Sequence, residues 1–178
     1  MEKIVTIPDG INVEIDNMKV TISNDKGQLQ KEFIHPMFAG KIIISKEGNQ
    51  VKISSINEKR KVKAMVGTIS AHMNNMIRGL TEGYTYTLKI VYMHFPFTVK
   101  IDGNNVTINN FLGEKALRKA KLHGDVKVEI KGDEIIVSGV NREDVGQTCG
   151  NIERATRITK RDRRVFQDGI FISTKGRL

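Results

Sequence analysis

This sequence is written twice, and that constrains its fold more than any single segment does. Residues 13–27 carry the pattern V-x-I-D-x-x-x-V-T-I-x-N-x-x-G, and residues 99–113 carry it again, without a gap, 86 positions later. Two copies are too few for a solenoid. The period is that of a small domain, so the expectation is two homologous domains in tandem. Val13, Ile15, Val20 and Ile22 alternate with polar residues, as do Val99, Ile101, Val106 and Ile108. Period 2 means strands with one buried face. Asp16-Asn17 and Asp102-Gly103-Asn104 are turn formers, so each copy opens with a hairpin. Gly27 and Gly113 stand at the following turn, where a positive φ costs glycine little.

A second hairpin follows in each copy. The segments 42–45 and 51–54, joined by Glu47-Gly48-Asn49, match 126–130 and 135–138, joined by Gly132-Asp133, at an offset now slipped to 84. The chain then turns helical. Val62, Met65, Val66, Ile69, Met73, Met76 and Ile77 are spaced by three and four, a stripe on one face of a helix of roughly five turns. The second copy has the sparser stripe Val145, Cys149 and Ile152, with Cys149 in the place of Val66. Asn57 and Asn141 stand just before the helices, where a side-chain oxygen can take a free backbone N–H. After each helix, residues 82–86 match 168–172 at offset 86, which predicts a closing strand in each copy.

The fold class expected is therefore α+β: a tandem duplication of a small domain, each an antiparallel or mixed sheet covered by one main helix. The expected domains are 1–83 and 84–178. The strand from Tyr84 to Tyr92 is read as closing the first copy and leading into the second.

Chemistry for catalysis is scarce. His35, His72, His94 and His123 lack metal-ligand spacing, and no phosphate-cradling glycine motif occurs. Neither a metal nor a cofactor is expected, and the chain does not read as an enzyme. The single cysteine, Cys149, lies on the apolar stripe and reads as a small core hydrophobe. A lone cysteine and an N-terminus without an apolar run fit a reducing, cytoplasmic setting. No run reaches the length of a membrane helix, so no membrane partner is expected.

The cations are the better lead. The formal net charge is +9, which favours a polyanionic partner, nucleic acid first and an anionic membrane surface second. Lys59, Arg60, Lys61 and Lys63 open the first helix. Lys115, Arg118, Lys119 and Lys121 follow Gly113; as a strand, this segment would put Lys115, Lys119 and Lys121 on one face. The third cluster is Arg154, Arg157, Lys160, Arg161, Arg163 and Arg164, with only Glu153 and Asp162 against it. Helix-end cations suit the helix dipole, but six exceed that role. With no Trp and 6% aromatic residues, phosphate and sugar contact to folded RNA is favoured over single-strand stacking.

Three motifs then carry a resemblance: Val91-Tyr92-Met93-His94-Phe95-Pro96, Asn110-Phe111-Leu112-Gly113-Glu114-Lys115, and the end from Asp168-Gly169-Ile170-Phe171-Ile172 through Ser173-Thr174-Lys175-Gly176. With the helix-opening Asp144-Val145-Gly146-Gln147, they resemble the archaeal and eukaryotic branch of ribosomal protein six of the large subunit, over nearly the whole chain. The resemblance implies a non-enzymatic structural protein that binds large-subunit rRNA mainly through its second domain. It also implies neighbouring large-subunit proteins as partners, no small-molecule substrate, and a place near the translation-factor docking region and the base of the acidic stalk. The positions it singles out are Gly113, Lys115 and the basic strand after it, the segment from Arg154 onward, and the terminal Lys175 and Arg177. The competing expectation is a free-standing RNA-binding or regulatory protein that reuses the duplicated domain.

Overall fold

A computed structural model describes residues 2–25, 27–38, 40–57, 59–159 and 161–177, with the side chain of Arg177 outside the description. The chain forms two compact units, Met1–Thr81 and Glu82–Leu178. Every strand pairing among the described residues is antiparallel.

In the first unit, β1 (Glu2–Thr6), β6 (Gln50–Ser55) and β5 (Ile42–Glu47) form one sheet in that order, and β2 (Asn12–Asp16), β3 (Lys19–Asn24) and β4 (Gly27–Glu32) form another. Helix α1 (Arg60–Thr81) contacts β1 and β6 of one sheet and β3 and β4 of the other. Its stripe Val62, Val66, Ile69 and Met73 is buried, as are Val5, Val51 and Ile53 on the first sheet and Val20 and Ile22 on the second. Each such side chain contributes roughly 1.5–3 kcal/mol on leaving water. The Asn57 side-chain oxygen accepts from the Lys59 N–H at 3.0 Å, in the expected cap position.

The second unit repeats this plan. Strands β8 (Thr98–Asp102), β9 (Asn105–Asn109) and β10 (Arg118–Lys121) form one sheet. The other runs in the order β11 (Val126–Lys131), β12 (Glu134–Gly139), β7 (Tyr84–Val91) and β13 (Gly169–Arg177). Helix α2 (Arg142–Ala155) is capped by Asn141, whose side chain accepts from the Glu143 N–H at 3.1 Å. Val145, Cys149 and Ile152 are fully buried. The opening hairpins match closely, with Asn17 at φ 53° where the second copy has Gly103 at φ 55°. Left-handed backbone at that position explains why the repeat tolerates Asn or Gly there.

Two sequence expectations need correction. The strands of each copy divide into two sheets rather than one. The predicted closing strands are not equivalents in separate copies: they pair with each other. β13 runs beside β7 from Gly169↔Val91 to Arg177↔Tyr84, with a bulge between Ile172 and Thr174. The counterpart of β7 in the first unit is β1. Val5 faces Val51 as Leu88 faces Ile135, and the Ile7 N–H bonds Asn49 O at 2.8 Å as the Ile90 N–H bonds Asp133 O at 2.7 Å. A period-2 pattern identifies a strand but not the sheet it joins.

Candidate nucleic-acid interface

The third basic cluster begins where α2 stops. Thr156, only 3% exposed, donates its hydroxyl to Glu153 O at 3.1 Å and accepts the Ile170 N–H at 3.0 Å. That single side chain ties the helix end to the start of β13, and the intervening segment loops out. Ile158 anchors the loop by burial, while Arg154, Arg157, Arg161, Arg163 and Arg164 are exposed. Asp162 folds the loop tip. Its carboxylate accepts the Arg164 N–H at 2.9 Å, and its carbonyl accepts the Val165 and Phe166 N–H groups at 3.2 and 2.9 Å. Hydrogen bonds from the Arg164 guanidinium and backbone hold the Asp162 carboxyl below its usual range. Lys160 lies outside the described residues.

A layered stack supports the same loop. Arg161 covers Phe166, with its guanidinium carbon 4.8 Å from the ring centroid. His94 stacks beside Phe166 at 4.5 Å, with 27° between the planes. The His94 ring donates from Nδ1 to Asp168 Oδ2 at 2.8 Å, and the Met93 and His94 N–H groups donate to Oδ1 at 2.7 and 3.0 Å. Burial pushes the Asp168 carboxyl up, but these three donors outweigh it and leave the group below its ordinary value.

The second basic cluster is only partly a strand. β10 begins at Arg118, so Lys115 lies in the bend before it and does not share a strand face with Lys119 and Lys121. Lys119 and Lys121 are exposed and alternate with buried Ala120 and Leu122, as the pleat requires. The preceding Asn110-Phe111-Leu112-Gly113 motif is a tight turn, with Asn110, Leu112 and Gly113 at φ 63°, 52° and 77°. Left-handed backbone costs a non-glycine residue about 1–2 kcal/mol, so the strain at Leu112 must be held elsewhere. Phe111, fully buried against Phe97 at 5.2 Å, is the anchor.

Arg118 is spent inside the protein. It forks onto Glu114 at 2.6 and 2.8 Å, donates to Ala155 O and Arg157 O at 2.9 and 3.1 Å, and lies 4.4 Å from the Phe111 ring centroid. Its bond to Glu114 is the main reason that carboxyl sits below its usual range. The clamp joins β10 to the end of α2, so two clusters far apart in sequence occupy adjoining elements. The Asn151 side chain, donating to Lys121 O at 2.9 Å, adds a second tie. Of the terminal pair, Lys175 is exposed on β13.

Between the α2 end, the loop and β13 lies an open cleft of about 960 Å³. Arg154, Arg157, Arg163 and Arg164 stand at it, with Phe171 and Gly150 among its walls. The sequence marks Phe171 only as part of the segment from Arg154 onward, and it does not mark Gly150 as part of a site. Gly150 sits within α2, and a side chain there would meet no described residue outside the helix within 4 Å. Glycine inside a helix costs roughly 1 kcal/mol relative to alanine, and no packing among the described residues calls for it here. The His94–Asp168 and His123–Asp144 pairs were equally invisible, because their partners are 74 and 21 residues apart. Cys149 is in the core, and burial pushes its thiol up to about 12.

Comparison with known proteins agrees with this architecture. The family model described as Ribosomal protein L6 matches residues 7–83 and 95–169, one segment in each unit. The large ribosomal subunit protein uL6 of Desulfurococcus amylolyticus is 49% identical over 174 residues, covering 97% of this chain and 93% of its own. Those of Sulfurisphaera tokodaii and Methanocella arvoryzae are 49% and 44% identical, covering 96% of this chain and 90% and 95% of theirs. Two matched segments, a duplicated α+β fold and near full-length identity to these relatives make the chain a member of the ribosomal protein L6 family.

Proposed function

We propose that this chain is a structural component of the large ribosomal subunit in the cytoplasm and holds large-subunit rRNA through its second domain. The domains proposed are residues 1–83 and 84–178, with neighbouring large-subunit proteins as further partners and no catalytic role. The Arg118 clamp is the observation that carries the reading. It holds β10, which carries Lys119 and Lys121, against the arginine-rich end of α2, so the two cationic clusters lie on adjoining elements. Arginine forks and lysine point charges on such a surface suit phosphate oxygens of a folded RNA. Gly113, Lys115, Arg154, Arg157, Lys160, Arg161, Arg163, Arg164, Lys175 and Arg177 complete the proposed contact set. Arg118 acts in it as a brace. The proposed location is the translation-factor docking region and the base of the acidic stalk, as the family resemblance implies. Sedimentation tests the assignment. The tagged chain should travel with large subunits through a high-salt wash; recovery only in the free fraction would favour a free-standing RNA-binding protein.

A further inference from the structure

We infer that the cleft beside α2 receives one unstacked nucleotide of the bound RNA, so that recognition includes a base pocket as well as phosphate contact. This rests on the RNA-binding reading above and adds a ligand subsite to it. Three observations converge. The cleft, at about 960 Å³, is large enough for a ligand of nucleotide size and is lined by four arginines, Arg154, Arg157, Arg163 and Arg164, against two carboxylates, Glu153 and the Asp168 already held by Met93 and His94. Its charge therefore suits a phosphate-bearing ligand.

Phe171 supplies a stacking surface. It is 41% exposed and leans back over Gly169, where an added Cβ would come within 3.0 and 3.1 Å of the ring. Phe166 already has His94 on one side and Arg161 near its ring, so Phe171 is the aromatic wall left to a base. Base–aromatic stacking tolerates any base, because every base has a π-face.

Gly150 leaves the helix wall bare. A side chain there would contact none of the described residues outside the helix, and its lack keeps that wall of the cleft open and lets a ligand approach the α2 backbone.

The experiment uses the full chain and deproteinised large-subunit rRNA from an archaeon, with binding titrated at several salt concentrations. Ultraviolet crosslinks are mapped by mass spectrometry. Gly150→Leu projects a side chain from the α2 wall into the cleft without changing charge. It should weaken binding about tenfold, remove a Phe171–nucleotide crosslink and leave the salt slope unchanged. Phe171→Ala should weaken binding similarly. Gly150→Ala, whose methyl would meet no described residue outside the helix, guards against misfolding as an explanation: it should raise the melting temperature while weakening binding by a smaller factor. Wild-type affinity in Gly150→Leu and Phe171→Ala, or no Phe171 crosslink in a wild-type complex, would overturn the pocket while leaving RNA binding intact. Failure of the wild-type chain to bind in a salt-dependent way would instead overturn the RNA-binding reading and the pocket with it.

Discussion

His94 and Asp168, 74 residues apart, are joined by a 2.8 Å hydrogen bond from the His94 ring to a carboxylate that is only 1% exposed. The same carboxylate takes two backbone N–H groups, so it fixes the turn after β7 to the start of β13. Asp168→Ala leaves three donors unpaired and should cost about 3 kcal/mol. The folded carboxyl lies below its ordinary value of 3.8, so its stabilisation is complete above that value. It is lost as pH falls through the folded value. Wild type should therefore lose its advantage over Asp168→Ala in acid; a difference in melting temperature that is flat with pH would contradict this.

Arg118 should behave as a structural residue. Arg118→Lys keeps the charge but loses the fork onto Glu114 and the paired carbonyl bonds, and should lower stability by about 2 kcal/mol. RNA affinity of the folded variant should fall only as far as β10 loosens from the α2 end, well short of the loss from reversing three contact arginines, because no phosphate contact is itself removed. Loss of affinity without loss of stability, read by titration and thermal melting, would return Arg118 to the contact set.

Surface charge should act locally. Reversing Arg157, Arg161 and Arg164 to Glu changes net charge as much as reversing Lys59, Arg60 and Lys63. The first triple should cost well over tenfold in rRNA affinity and the second much less. Equal losses would point to long-range attraction alone. For the wild-type chain, log affinity should fall against log salt with a slope of roughly −3 to −5 if four to six phosphates are engaged.

Cys149 should be inert and alkali-sensitive. Its thiol is fully buried and pushed up to about 12, so the unfolded state gives up this proton at lower pH than the folded state. Stability is complete below the unfolded value and falls by about 1.4 kcal/mol per pH unit above it, until the folded value is reached. Cys149→Val should flatten that fall and change neutral-pH stability by about 1 kcal/mol or less. Thiol-reagent titration of the native protein should show negligible labelling; rapid labelling would place the sulfur at the surface.

Much of this was legible in the sequence, for a physical reason. Hairpins and helices are local, so the repeat, the turn residues Asn17 and Gly103, the caps Asn57 and Asn141 and the stripe through Cys149 all announce themselves within a few positions. Sheet membership is not local: β7 and β13 share a pattern because they fill similar places in sequence, yet they meet in one sheet. The basic clusters were visible as composition. The role of Arg118 was not, because its carbonyl partners at Ala155 and Arg157 are supplied by another element. Nor did any sequence signal distinguish Gly150 from a packing glycine, since only the open space around it does so.

The β7–β13 pairing orders events during synthesis. Every strand of the first unit and its helix are complete once residue 81 has been made, so that unit can close while the chain is still emerging. The second unit cannot: β7 is made early and waits about eighty residues for β13, the final strand. Until then the strand carrying Leu88 and Ile90 has one edge unpaired, a state prone to association with other chains. A stalled or prematurely ended chain would therefore pair a finished first half with a half-built, sticky second one.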